Sequence, residues 1–234
     1  MIPLPNPPKI VKDKNNFAQF EIENLYPGYG VTIGNSLRRV LFSSLEGAAV
    51  TQVKIKGVQH EFSTIPGVLE DVIDIILNLK KLRFKLFSEE PQKAILKVKG
   101  KKGVKGKKEV KGSDFELPAQ AELVNKDAPI CVLTDKKSEV EIEIQIARGI
   151  GYEPIERRKK EKLGIGVIPL DAIFTPIRNV KFRVENMRVG KRTDFDHLFL
   201  EIETDGTITP KEAFTRASEI LLKHFSLFGE SFTQ

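Results

Sequence analysis

Tryptophan is missing from this sequence, methionine occurs twice and cysteine once. A single thiol, Cys131, cannot close an internal disulfide, so the fold has to hold by packing alone and suits a reducing compartment. Histidine is scarce too. His60, His197 and His224 lie far apart with no CxxC or HExxH context, so spacing indicates no metal site. No apolar run approaches the roughly 18 residues of a membrane helix, and the N-terminus has neither the basic head nor the apolar stretch of a secretory signal. Pro3, Pro5, Pro7 and Pro8 instead make the first residues a loose arm. Catalytic signatures are equally thin. There is no GxxxxGK, no six-residue GxGxxG and no GxSxG elbow. Gly28 and Gly30 imitate part of a phosphate loop, but a plain turn fits them better. Asp194 and Asp196 form a DxD-like pair of the kind magnesium can use. Flanked by Lys191-Arg192 and a strand, they fit a turn or capping role better. No catalytic residue and no metal ligand is therefore expected in this chain.

What the sequence does have is apolar bulk. Its 234 residues are 40% hydrophobic with 15 phenylalanines, enough for one large or two ordinary domains. The stretch Gly34 to Gly47 reads as a short helix capped by Asn35 or Ser36 and ended by Gly47. At roughly 100° per residue, Leu37, Val40, Leu41, Ser44 and Leu45 share one face, Arg38 sits at its edge and Arg39 nearly opposite. A helix this short needs a partner for its apolar face. The closing helix is better marked. Thr209, Pro210 and Glu212 make a capping box, and Phe214, Ala217, Leu221, Phe225 and Phe228 run down one side to about Gly229.

Between these ends lie strand-like segments at 17–25, 50–58, 82–87, 94–98, 115–123 and 130–133. The cleanest is 140–146, where Val140, Ile142, Ile144 and Ile146 alternate with Glu141, Glu143 and Gln145. An amphipathic helix is expected over 68–80, with Leu69, Val72, Ile73, Ile76, Leu77 and Lys80 on one side. Strands at 180–184 and 198–202 directly precede the closing helix and offer both terminal helices a sheet. The pattern predicts an α+β chain in which residues 50–174 are inserted into a domain built from 1–49 and 175–234. If two helical stripes stay exposed, a C2 dimer buries them; alternatively, both helices cover their own sheet.

The net charge of +6 is local. Residues 97–112 hold Lys97, Lys99, Lys101, Lys102, Lys105, Lys107, Lys108 and Lys111 against one acid, Glu109. A long solvated hairpin and a phosphate contact are both open readings. No aromatic interrupts the run to stack bases. A free-standing basic nucleic-acid-binding protein is thus the competing function class.

Several motifs now converge. Tyr29-Gly30-Val31-Thr32-Ile33-Gly34-Asn35-Ser36-Leu37-Arg38-Arg39-Val40-Leu41-Phe42-Ser43-Ser44 resembles the signature of the alpha subunit of bacterial-type DNA-directed RNA polymerase. His60-Glu61-Phe62-Ser63-Thr64, Leu77-Asn78-Leu79-Lys80, Arg148-Gly149-Ile150-Gly151-Tyr152, Ile168 to Pro176, Arg192 to Asp196 and Thr204 to Ala213 continue it in family order. The resemblance implies an amino-terminal assembly domain, a dimerisation domain made from the chain ends with a mostly β insertion. It implies a homodimer carrying the beta and beta-prime subunits, with DNA contacted only through the assembled enzyme and no membrane association. Carried over residue by residue, Arg38, Arg39, Phe42 and Ser43 are the beta contact. Lys80, Ile173, Phe174, Thr175 and Arg192 are further large-subunit contacts. Leu37, Leu41, Leu45, Phe214, Ala217, Leu221, Phe225 and Phe228 are the dimer interface. No cofactor is expected on this chain, with magnesium held by beta-prime. The bacterial cytoplasm, at the nucleoid, is the implied location, with a plastid origin left open. The family commonly adds a carboxy-terminal domain that contacts promoter DNA and activators. The sequence stops at Gln234, so either it is a fragment or the protein lacks that module, and those contacts are not assigned.

Overall fold

The computed structural model describes residues 2–100, 108–135, 138–158 and 164–230. The chain divides into two compact units, one formed by 1–45 with 175–234 and the other by 46–174. The first segment contributes β1 (Lys9–Lys14), β2 (Phe17–Leu25) and α1 (Tyr29–Ser44). The inserted unit contains β3 (Glu46–Ile55), α2 (Val72–Leu79), β4 (Phe84–Leu86), β5 (Gln92–Lys99), β6 (Lys108–Lys111), β7 (Phe115–Glu116) and β8 (Ala121–Leu123). It continues through β9 (Pro129–Leu133), β10 (Glu139–Ile150), β11 (Tyr152–Glu153), β12 (Val167–Pro169) and β13 (Ala172–Ile173). The last segment adds β14 (Ile177–Val189), β15 (Arg192–Thr204) and α3 (Pro210–Glu230). The class is α+β.

In the chain-end unit, an antiparallel sheet runs in the order β1-β2-β15-β14. Its centre is β15, whose alternating burial sends Leu198, Leu200 and Ile202 inward with no exposed surface. α1 and α3 lie against that face and against each other. Leu37, Leu41 and Leu45 meet Ala18, Phe20, Val180, Ala213 and Ala217 in one buried cluster. Phe214 stacks on Phe20 with ring centroids 4.6 Å apart. Each fully buried leucine of this set contributes about 1.5–3 kcal/mol relative to exposure.

α1 differs from its sequence reading at both ends. It begins at Tyr29, five residues before the expected Gly34, and it ends at Ser44 with Leu45 already extended. Gly47 is not a helix stop but lies in β3. Neither Asn35 nor Ser36 caps it: Gly28 holds the N-cap position in a left-handed conformation, φ 88°. Two glycines on the buried face bring the helix close to the strands. A Cβ on Gly30 would stand 2.8 Å from Val184 Cγ1, and one on Gly34 would stand 2.6 Å from the Phe182 ring. α3 carries the capping box read from sequence. Thr209 Oγ1 accepts from the Glu212 amide at 3.2 Å, and Glu212 Oε2 accepts from the Thr209 amide at 2.9 Å.

The inserted unit is mostly β. Its main sheet runs β7-β5-β10-β3-β4-β8, with β12 added beside β3. β10 shows the expected alternation: Val140, Ile142, Ile144 and Ile146 are buried, while Glu139, Glu141 and Glu143 pair with Lys99, Lys97 and Lys93 on the outer face. Hydrogen bonds from Lys56 and then Lys99 hold Glu139 below the ordinary carboxylate value, and one from Lys97 does the same for Glu141. Part of the basic stretch is therefore matched by acids of the next strand. The expected lysine hairpin is not formed by β5 and β6, because β6 pairs with β9 in a separate sheet. Lys101, Lys102, Lys105 and Lys107 lie outside the described residues.

α2 is capped by Asp71, whose Oδ1 accepts from the Asp74 amide at 2.8 Å. Its buried face is Val72, Ile75, Ile76 and Leu79, whereas Leu69, Ile73 and Leu77 are exposed. The stripe read from sequence was thus rotated, because every turn of this very apolar helix offers two plausible faces. Cys131 is buried, and burial pushes its thiol up to about 12, which makes it an inert core residue.

Gly34→Ala tests the close approach of α1. Alanine normally gains about 1 kcal/mol over glycine inside a helix. Here the added methyl collides with the Phe182 ring, so a net loss of about 1–3 kcal/mol is expected in urea unfolding. A stabilised variant would show that the ring yields freely.

Candidate functional site

The site is built around α1, and its anchor comes from the other end of the sequence. Asp196, on β15, is buried, and its Oδ2 accepts hydrogen bonds from the backbone amides of Gly28 and Gly30, both at 2.9 Å. These are orphan donors of the first helical turn, and a carboxylate there also complements the helix dipole. Asp194 does something else. It makes a bidentate pair with Arg192, at 3.0 Å to Nε and 2.7 Å to Nη2, and this contact lowers the Asp194 pKa. The two aspartates thus serve separate partners, a cap and an ion pair.

With α1 held in this way, its outward face is settled. Arg38, Arg39, Phe42 and Ser43 are all exposed and, with Val180 of β14, line an open concavity of about 430 Å³. The Arg38 guanidinium lies over the Phe182 ring, 5.7 Å from its centroid. Ser43 Oγ donates back to the Arg39 carbonyl at 2.8 Å. Among the described residues Arg39 has no ion-pair partner, so its five donors remain available. Two guanidinium groups beside an exposed phenylalanine can grip carboxylates or carbonyls while burying an apolar side chain, which is the composition of protein interfaces.

The other sequence-derived positions divide differently. Arg192, on β15, is exposed, and its guanidinium packs over Tyr26 and Phe195 at 5.3 and 5.2 Å. The hydrogen bond to Asp194 raises its pKa further, so it is permanently charged. Thr175 is half-buried in the same unit. In the inserted unit, Lys80 is half-buried at the end of α2 and Ile173 is exposed. Phe174 is not available for a contact: it is buried with Ala49 and Ala172, its ring filling the space left by Gly149.

The positions read as a dimer interface also separate. Leu37, Leu41, Leu45 and Ala217 are at most 4% exposed within one chain, because α1 and α3 cover their own sheet. Phe214 and Leu221 are half-buried. Phe225 and Phe228 stand out at 60% and 62% exposure, joined by Leu222 and Leu227, where α3 outruns its cover. Leu222 and Leu227 escaped the sequence reading because they lie off the stripe that continues the buried face.

Comparison with known proteins decides the family. The family model described as the RNA polymerase Rpb3/RpoA insert domain matches residues 53–175, which cover most of the inserted unit. DNA-directed RNA polymerase subunit alpha from Symbiobacterium thermophilum is 47% identical over 94% of this chain and 67% of its own length. The subunit of the same name from Carboxydothermus hydrogenoformans is 48% identical over 94% and 69%. That from Flavobacterium psychrophilum is 45% identical over 96% and 67%. The chain belongs to the alpha-subunit family of DNA-directed RNA polymerase. As a family member it is part of a nucleotidyltransferase complex and assembles with other polymerase subunits.

The alpha-subunit signature acquires a physical meaning here. Gly30 and Gly34 are its packing face, Leu37 and Leu41 its core, and the residues between them the surface it presents. Asp196, from the Arg192 to Asp196 motif, ties the Tyr29 to Ser44 motif in place.

Asp196→Ala leaves two helix-start amides without a partner and is expected to cost about 2 kcal/mol. Asp194→Ala removes only an exposed, solvent-screened pair and is expected to cost much less. Urea unfolding of the two variants checks this order, and equal losses would argue against the cap.

Proposed function

We propose that this chain is a non-catalytic assembly subunit. Two copies pair, and the outward face of α1 receives a large polymerase subunit, beta, with beta-prime engaged by the second copy. The observation that carries this reading is the concavity on α1, where Arg38 and Arg39 flank exposed Phe42 and Ser43. Arginine and aromatic residues dominate binding hot spots, because a guanidinium fork and a flat ring bury much area for little lost freedom.

Pairing is supported by the end of α3. Leu222, Phe225, Leu227 and Phe228 are exposed, and Phe225 and Phe228 meet edge to face with centroids 6.4 Å apart. A two-fold axis through such a surface buries both copies' side chains at once. Lys80, Ile173, Thr175 and Arg192 extend the large-subunit contacts in this reading. The magnesium and the acids of nucleotidyl transfer belong to beta-prime, and this chain supplies no ion to that step. DNA is met only through the assembled enzyme, in the cytoplasm at the nucleoid. Among the described residues no helix is long and apolar enough to cross a membrane.

Arg39→Ala should weaken capture of the beta subunit by at least about tenfold while light scattering still reports a dimer. The double change Phe225→Asp with Phe228→Asp should give monomers that remain folded by circular dichroism. An Arg39→Ala protein that is monomeric, or that captures beta as well as the parent, sinks the assignment. Salt-dependent binding of nucleic acid by the isolated chain, with no capture of large subunits, would support the free-standing basic protein instead.

A further inference from the structure

The sheet of the chain-end unit has a second face, turned away from α1 and α3, and it carries a group of donors that sequence spacing cannot reveal. Glu21 and Glu23 project from β2 two residues apart, hence on one side of the strand. His197 projects from β15 beside them. The pairing of Asp196 with Leu25 and of Leu198 with Ile22 leaves His197 opposite both Glu23 and Asn24, a β-bulge with Asn24 at φ 61°. Bulges of this type aim a side chain without disturbing the burial of its neighbours: Ile22, Leu25 and Leu198 all remain in the core.

One donor atom from each of Glu21, Glu23 and His197 lies within 4.8 Å of the others. His197 Nε2 is 2.7 Å from Glu21 Oε1, yet the pair lacks the alignment of a directed hydrogen bond, and that nitrogen is sealed from solvent without a partner of its own. Two donors side by side and not pointing at each other are disposed like ligands of one ion. Ligands held by zinc at about 2.0–2.1 Å stand roughly 3.3 Å apart at a tetrahedral angle. The Glu21–His197 contact therefore opens slightly, and Glu23 closes by side-chain rotation. All three side chains are partly exposed, which leaves room for both movements and for water as a further ligand.

One cation already competes. Lys9 Nζ sits 2.8 Å from Glu23 Oε2, and Asn6 Nδ2 donates to the same oxygen at 3.3 Å. On the far side of His197, its register partner Glu185 is paired with Arg183. A mixed imidazole and carboxylate set favours first-row transition ions over magnesium or calcium, which prefer oxygen alone.

We propose that Glu21, Glu23 and His197 form a surface site for a divalent first-row transition metal such as zinc, in competition with Lys9. The ion bridges β2 and β15 across the bulge and, by taking Glu23, releases the side chains of Asn6 and Lys9 that fasten the N-terminal arm. It has no part in nucleotidyl transfer.

Zinc titration of the full chain by calorimetry, paralleled by cobalt absorbance, tests this. One ion per chain is expected. His197→Ala should weaken binding by at least about tenfold, the scale on which even outer partners of metal ligands act. Lys9→Ala, which removes the competitor, should tighten it. If His197→Ala fails to fold by circular dichroism, Glu21→Gln carries the same tenfold criterion. Absence of saturable binding, or zinc affinity unchanged in the ligand variant, overturns the site, and in the second case the ion is held elsewhere, at an exposed group such as His60 or His224.

Discussion

The carboxylate of Asp196 at the start of α1 is the contact on which the chain-end unit depends. It joins residues 168 and 166 positions apart in sequence. It also lets the helix begin at Tyr29, about two turns earlier than capping by Asn35 or Ser36 would allow. The added stretch contains Gly30, whose missing side chain lets α1 settle on Val184 and Asp196 itself. Cap and close approach are therefore a single arrangement. Without the carboxylate the first amides would face a buried strand unpaired, and without the glycine the carboxylate could not reach them.

From this anchoring the presented surface follows. A helix pressed to its sheet along Gly30, Gly34, Leu37 and Leu41 has no rotational freedom left. Arg38, Arg39, Phe42 and Ser43 are consequently fixed outward as a set. Arg38 is further steadied by the Phe182 ring, the ring that Gly34 admits. One aromatic residue thus receives the helix backbone and supports a charged side chain at the rim of the concavity.

α3 obeys a different constraint. Its first half buries Ala213 and Ala217 with no exposed surface, small residues that allow two helices to share one sheet. Its second half extends past that cover and keeps Leu222, Phe225, Leu227 and Phe228 in solvent. Periodicity left two alternatives open, and α3 divides between them: its first half covers its own sheet, while its second half stays exposed. The inserted unit shows the complementary economy. β10 buries one face of aliphatic side chains and neutralises the other with lysines, some of which the basic stretch supplies.

Local signals were enough for the α+β class, the inserted arrangement, the capping box of α3 and the alternation of β10, because each rests on residues within a few positions of one another. The family motif was legible for the same reason, and Arg39 could be placed on an outward face by counting turns. The start of α1, the rotation of α2, the burial of Phe174 and the split of the supposed dimer stripe were not legible. Each depends on what a distant segment does: Asp196 reaches Gly28, the core selects one of two apolar faces on α2, Gly149 admits Phe174, and the sheet ends before α3 does. Periodicity names the side of a helix that wants cover. Only the packed chain decides how much of that side is covered, because cover comes from elements whose distance in sequence carries no information about their distance in space.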